Sequence, residues 1–311
     1  MKNKFSPAHF IGEGALLLMT IIWGGTFVIV KEALNDITPM LFIAVRFSIA
    51  SLLVFTFLLF KRYTLNSSAL RSGFLLGFFL FLGFAFQTAG LKYTTATKSG
   101  FITGSLVVMI PALQLLIEKK KPTKGALIGT ALVFVGIIFL SSGSAAPSSF
   151  LAEFGQDFNT GDYLTLICAL FFALHVVYMD ILSPGRDFWL LFFSQLITVA
   201  VLAWITAIFF HSVSFESLYL NVNGNLINGI LYTSVLATFV NFGLQTKFQK
   251  EVSPTKAGII YSFEPIFAAL FAYFLLSEKI SNFGAIGGVF IFGGLIISEI
   301  YDYYFNGGKK T

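Results

Sequence analysis

The chain has 311 residues, of which 56% are hydrophobic and only 11% charged, with a mean hydropathy of +0.84. Soluble domains carry charge on about a quarter of their residues, so this composition excludes an ordinary water-soluble protein. A net charge of +5 would point to nucleic acid in a soluble chain, but here the basic residues lie between apolar runs, where they report membrane orientation.

Apolar runs broken at charged, Gly and Pro clusters predict ten transmembrane helices, with cores near 12–30, 39–60, 70–90, 98–117, 125–142, 162–181, 188–210, 225–246, 256–276 and 282–301. Each crossing needs roughly 20 residues, which leaves short loops and no room for a separate catalytic domain. The first run follows Lys2 and Lys4 without a small-residue cleavage site, so it reads as a retained helix and not a signal peptide. With the N-terminus in the cytoplasm, fifteen Lys and Arg residues fall on that side, including Lys119, Lys120, Lys121 and Lys124. Only Lys31, Lys92, Lys98 and Lys279 fall on the other. That asymmetry predicts a multi-pass protein of a plasma membrane (a bacterial inner membrane) with both termini cytoplasmic. The expected partners are the lipid bilayer and a small-molecule substrate, with no nucleic acid and no cofactor.

The second half repeats the first. Phe84 to Gly100 returns as Phe242 to Gly258 at a constant offset of 158 residues, which pairs Gln87 with Gln245, Lys98 with Lys256 and Gly100 with Gly258. The same offset pairs Gly129 with Gly287 and Gly136 with Gly294. Each copy holds five spans, and an odd number of crossings inverts the second copy in the membrane. The fold class is therefore all-α integral membrane, with ten helices in two inverted five-helix repeats, a signature of secondary transporters. The repeats are 1–142 and 162–311, joined by an external linker at 143–161 that has Glu153 and Asp157 but no Lys or Arg.

Polar groups inside the spans are the candidates for function, because hydrocarbon tolerates them poorly. In chain order, Trp23 heads an aromatic set with Phe84, Phe86, Tyr93, Tyr232 and Tyr261 that could wall a cavity. Arg46 lies seven residues beyond Pro39, about 10 Å along helix 2. It is either a cavity cation or an Arg that snorkels or braces a neighbouring helix; the matching place in helix 7 holds Gln195. Gln87 and Gln245 could contact substrate from opposed sides or join helices. His175, with Tyr178 about one turn on, fits a proton relay, a substrate donor or an interhelical hydrogen bond. No second His stands at metal-ligand spacing, and the single cysteine, Cys168, lies inside a span, so no metal site and no internal disulfide are expected. Glu264 falls about 12 Å into helix 9, directly before Pro265. A proline removes a ladder donor and frees a carbonyl, so this carboxyl could carry a proton, bind a cationic group or support a kink. Glu264 and His175 are the proton-coupling candidates. Gly125-xxx-Gly129 and Gly284-xxx-Gly288 read as helix-packing faces, which leaves a monomer or a homodimer open.

The run Trp23-Gly24-Gly25-Thr26-Phe27-Val28, followed by Lys31, Pro39 and Arg46, resembles the opening of EamA-type transporters of the drug/metabolite transporter (DMT) superfamily. Gly90-Leu91-Lys92-Tyr93-Thr94-Thr95-Ala96, Ser253-Pro254-Thr255-Lys256-Ala257, Glu264-Pro265 and Leu276-Ser277-Glu278-Lys279 are similar to that family's later motifs, in the same order. The Glu-Pro pair has no counterpart at Leu106-Val107, and the first half carries Pro111 instead. The resemblance implies a cavity lined mainly by helices 1, 3, 4, 6, 8 and 9, and export of small metabolites, amino acids or drugs by alternating access. A passive pore would need a continuous polar stripe, and an intramembrane enzyme a cluster of reactive groups. The scattered polar residues favour a carrier over both, and the expectation is no enzyme activity.

Overall fold

The computed structural model describes residues 7–61, 66–94, 96–141, 159–276 and 282–305. The linker expected at 143–161 lies outside these up to residue 158, as do Ser277, Glu278 and Lys279 and the basic residues at both termini. The described residues form ten helical spans: α1 (Pro7–Gly24, then Thr26–Ala33), α2 (Pro39–Lys61), α3 (Ser67–Tyr93), α4 (Ala96–Gly104, then Leu106–Glu118), α5 (Lys124–Ser141), α6 (Thr160–Leu182), α7 (Phe188–Ser212), α8 (Gly224–Leu231, Tyr232–Val240, Asn241–Phe248), α9 (Pro254–Tyr261, then Glu264–Leu276) and α10 (Asn282–Phe305). Seven are long and apolar enough on their own to cross a bilayer, and Lys124–Phe139 and Asn282–Ser298 are shorter apolar helices. Phe60, at 88% exposed, and Leu116 and Val289 stand on the outer surface, where only lipid suits them.

Short polar residues start the helices where the chain turns. Asn66 accepts from the amides of Ser68 and Ala69, Asp187 from Leu190, and Asn223 from Leu226. Asn159 and Asp162 close a reciprocal capping box at α6. These caps satisfy amides that hydrocarbon could not.

The inverted symmetry is visible where α5 crosses α10. A Cβ on Gly129 would meet the carbonyl oxygen of Gly294 at 2.7 Å, and one on Gly136 would meet that of Gly287 at 2.7 Å. Gly129 and Gly287 are repeat partners, as are Gly136 and Gly294, so each glycine packs on the partner of the other. A two-fold axis between the helices produces that exchange. The Gly129 face is thus used within the chain, whereas Gly288 and Gly293 have nothing among the described residues within 4 Å of a built Cβ.

Symmetry also corrects the expected cause of the bend in α9. The helix breaks at Ser262 and Phe263, and α4 breaks at Ser105, the position 158 residues before Phe263. The bonds that bridge the two breaks match: Phe263 to Ile260 and Ile266 to Phe263 in α9, Ser105 to Ile102 and Val108 to Ser105 in α4. The first copy has Val107 where the second has Pro265, so the proline is not the common cause. A serine hydroxyl bonds back to a carbonyl at each break, Ser105 to Ile102 at 2.6 Å and Ser262 to Gly258 at 2.9 Å, a local competitor of the helix ladder. Pro111, by contrast, sits inside the second half of α4 without ending it.

A third irregularity has no symmetric partner. Residues Tyr232–Val240 of α8 form a π-helix, a rare form often found at functional positions. Hydroxyls of Thr233, Ser234 and Thr238 bond back to carbonyls along it. The broken α1 binds this segment through three long-range hydrogen bonds: Tyr232 to the Ile22 carbonyl at 2.7 Å, Trp23 Nε1 to the Ala237 carbonyl at 3.0 Å, and Asn241 to the Met19 carbonyl at 3.0 Å. The Trp-Gly-Gly run follows from this packing. A Cβ on Gly24 would stand 2.8 Å from Phe267 Cβ, and one on Gly25 would stand 2.9 Å from the Tyr232 hydroxyl.

Candidate functional site

A cavity lies between the halves, walled by residues of both. Its walls are Trp23 and Thr26 of α1, Arg46 of α2, Leu80, Phe84 and Gln87 of α3, Thr103 and Leu106 of α4, Phe172, His175 and Val176 of α6, Phe242 and Gln245 of α8, and Tyr261 and Glu264 of α9. The walls obey the repeat. Four pairs stand 158 residues apart: Phe84 with Phe242, Gln87 with Gln245, Thr103 with Tyr261, and Leu106 with Glu264. Spans α1 and α6 correspond at an offset of 149, which pairs Arg46 with Gln195 and brings the helix ends Ala33 and Leu182 into register. That offset adds Trp23 with Phe172 and Thr26 with His175. The cavity therefore sits on the axis that relates the repeats.

Hydrogen bonds repeat as well. Gln87 Nε2 donates to Thr103 Oγ1 at 3.3 Å, and Gln245 Nε2 donates to the Tyr261 hydroxyl at 3.3 Å. The second-half pair extends further. Gln245 and Tyr261 both donate to Gln249 Oε1, at 2.7 and 2.9 Å, and Gln249 Nε2 donates to the Val176 carbonyl at 2.8 Å. This network ties α8, α9 and α6 on the side of the cavity toward the N-terminal face. Below it Thr255 donates to Gln114 at 2.7 Å, and Lys256 pairs with Glu13. On the opposite face Lys31 donates to the carbonyls of Leu91 and Thr94. There the α1–α2 turn also joins the α7–α8 loop, through Thr38 to Tyr219 at 3.2 Å and Asn221 to Asp36 at 2.7 Å.

The ionisable wall residues break the symmetry. Arg46 is 3% exposed. Its Nε donates to Thr238 Oγ1 at 2.6 Å, one Nη reaches the Ala237 carbonyl at 3.5 Å, and its guanidinium lies over Phe84 and Phe47 at 4.7 and 5.4 Å from the ring centroids. The place matching Arg46 holds Gln195, which is buried and committed to His175 and Thr246 at 3.3 and 2.5 Å. Glu264 faces the cavity, while its partner Leu106 is apolar.

Seven of the eight residues singled out from the sequence line this cavity: Trp23, Arg46, Gln87, His175, Gln245, Tyr261 and Glu264. Tyr178 does not. Three residues of helix turn its direction about 60° from that of His175, and its ring lies on Phe79, 5.1 Å between centroids. Of the other aromatics, Phe86 stacks on Phe171 and Tyr93 is exposed. Tyr232 lines a separate hollow beside Glu32 and Asp36. The wall residues Phe172, Phe242, Thr26 and Thr103 escape a search for intramembrane charge, and the repeat offset applied to Trp23, Phe84, His175 and Tyr261 finds them.

Residues 10–142 and 159–299 each match the model of the EamA-like transporter family. The chain belongs to this family. A relative from Archaeoglobus fulgidus, named an uncharacterized transporter, is 36% identical over 92% of this chain and 84% of its own length. The transporter YoaV of Bacillus subtilis is 22% identical over 91% of this chain and 94% of its own. A WAT1-related chloroplastic protein of Arabidopsis thaliana is 26% identical over 92% and 70% respectively. A solved crystal structure superposes with a TM-score of 0.72 over 94% of this chain and 96% of its own, at 16% identity, and shares the fold. The EamA-like chain is thus a multi-pass membrane protein of a transporter family, with one family match in each half.

Proposed function

We propose that this protein is a secondary transporter that exports small metabolites, amino acids or drugs across a cytoplasmic membrane by alternating access. Repeats 1–142 and 162–311 are the two moving halves, with both termini in the cytoplasm. The observation that carries the reading is the pairing of the cavity walls: a site on the symmetry axis is bounded equally by both halves. Rocking one against the other can then expose it to either face. Trp23, Arg46, Gln87, His175, Gln245, Tyr261 and Glu264 are the binding residues in this reading. Glu264 is the first candidate for proton coupling, with His175 the second. A carboxyl on the wall of the cavity can exchange its proton with whichever face the cavity meets.

The test is a growth-protection screen with the gene overexpressed, followed by counterflow in sealed proteoliposomes for every protecting compound. Saturable counterflow is the expected result. Flux that rises linearly with concentration, or protection without any movement of solute, rejects the carrier.

A further inference from the structure

We infer that Arg46 is an anion anchor, and that the transported solute carries a carboxylate joined to an apolar or aromatic body. The inference rests on the cavity being the transport site. It starts from an imbalance. Arg46 is nine-tenths or more buried and reaches the cavity, yet among the described residues no carboxylate pairs with it. A guanidinium has five N–H donors. One is held by Thr238 and a second makes a long contact with Ala237, so three find no partner among the described residues. A cation inside a membrane is kept only where something compensates it.

The geometry selects the compensating group. Phe84 and Phe47 cover the guanidinium, and the bond from Nε fixes its rotation. The donors left over all belong to the two Nη atoms, a fork on a residue that lines the cavity. A planar fork fixed by stacking matches a carboxylate through two parallel bonds. Arg46 is the one Lys or Arg on the described wall, so with the Glu264 carboxyl in its protonated form a monoanion is neutralised there, while a phosphate monoester would bring excess negative charge. The aromatic walls Trp23, Phe172 and Phe242 receive the rest of the solute.

Repeat symmetry supplies an independent line. Leu80 of the wall corresponds to Thr238, so the Arg46–Thr238 contact would recur as Gln195 with Leu80. It does not, because Leu80 has no acceptor and Gln195 bonds to His175 and Thr246 instead. The anion site exists in one half only. It is held by the π-helical part of α8, which is likewise unmatched by its repeat partner α3. A symmetric cavity with its one cation in a single half orients an anionic solute.

The experiment uses the full chain, purified and reconstituted. A panel of small aliphatic and aromatic carboxylates is compared with the amide, amine and phosphate ester of the same body, by thermal stabilisation and by counterflow. The carboxylate of each pair that binds should do so roughly tenfold to a hundredfold more tightly than its amide, the size of a lost charge-assisted contact. Arg46→Gln should bring the two to the same affinity, with binding of the amide retained. The wild-type comparison alone decides the matter if Arg46→Gln does not fold. Equal binding of carboxylate and amide, preference for the amine or the phosphate ester, or no binding by any carboxylate overturns the anchor. Carboxylate binding lost in Arg46→Gln but unaccompanied by counterflow keeps the anion site and sinks the transport reading.

Discussion

The seam between α5 and α10 gives the inverted-repeat architecture a quantitative test. Gly129→Ala places a Cβ 2.7 Å from the carbonyl oxygen of Gly294 and 2.9 Å from Ser298 Cβ. Gly294→Ala places one 2.8 Å from the carbonyl oxygen of Gly129 and 2.8 Å from Val133 Cγ2. Ordinary contact begins near 3.4 Å, and a backbone carbonyl cannot swing aside as a flexible side chain can. The helices must separate, and over-packing of this kind costs about 1–3 kcal/mol. Gly288→Ala and Gly293→Ala, with nothing among the described residues within 4 Å, are the controls on α10. All four substitutions share the helix-propensity gain of about 1 kcal/mol, so the difference between seam and control isolates the clash. Thermal unfolding of the purified variants in detergent, followed by size-exclusion fluorescence, should therefore rank both seam variants about 1–3 kcal/mol below both controls. Gly136→Ala, whose Cβ would stand 2.7 Å from the carbonyl oxygen of Gly287, should carry the same penalty as its repeat partner Gly294→Ala, and that equality is the signature of the two-fold exchange. If seam and control variants melt together, the close crossing and the symmetry argument built on it fail.

Two further outcomes follow from the proposed mechanism and orientation. Glu264→Gln keeps shape and hydrogen bonding but cannot titrate, so it should abolish pH-gradient-driven transport while leaving solute exchange in place; unchanged pH-driven accumulation would remove Glu264 as the coupling group. A cysteine at Ser148, in a Cys168→Ala background, should react with an impermeant thiol reagent added outside intact cells, and one at Lys124 should not. The reverse pattern would invert the orientation of every loop.

The sequence made the span count, the inversion and most of the cavity legible for one physical reason. A carrier built from two copies of one unit places equivalent side chains around the axis, so Gln87 and Gln245 announce a shared site. Phe242 and Phe172 were hidden among 39 phenylalanines, since an aromatic facing lipid and one facing a cavity look alike until the repeat is applied. The helix breaks were legible only in part. Pro265 drew attention to α9, but the same break in α4 depends on Ser105, and serine is too common to read as a signal. The π-helix left no mark in the apolar pattern, because one extra residue per turn over a single segment shifts the hydrophobic stripe too little. Tyr178 shows the cost of reading faces by turns: an angle of about 60° moved it from the cavity to Phe79.

The central claim is that the repeat-paired cavity opens to both faces in turn. Leu106→Cys, in a Cys168→Ala background and in vesicles of fixed orientation, measures this directly with an impermeant thiol reagent applied from either side. The account predicts reaction from both faces, slowed by transported solute, with each modified molecule losing counterflow. Reaction from one face alone under every condition, or modification without loss of counterflow, would contradict it.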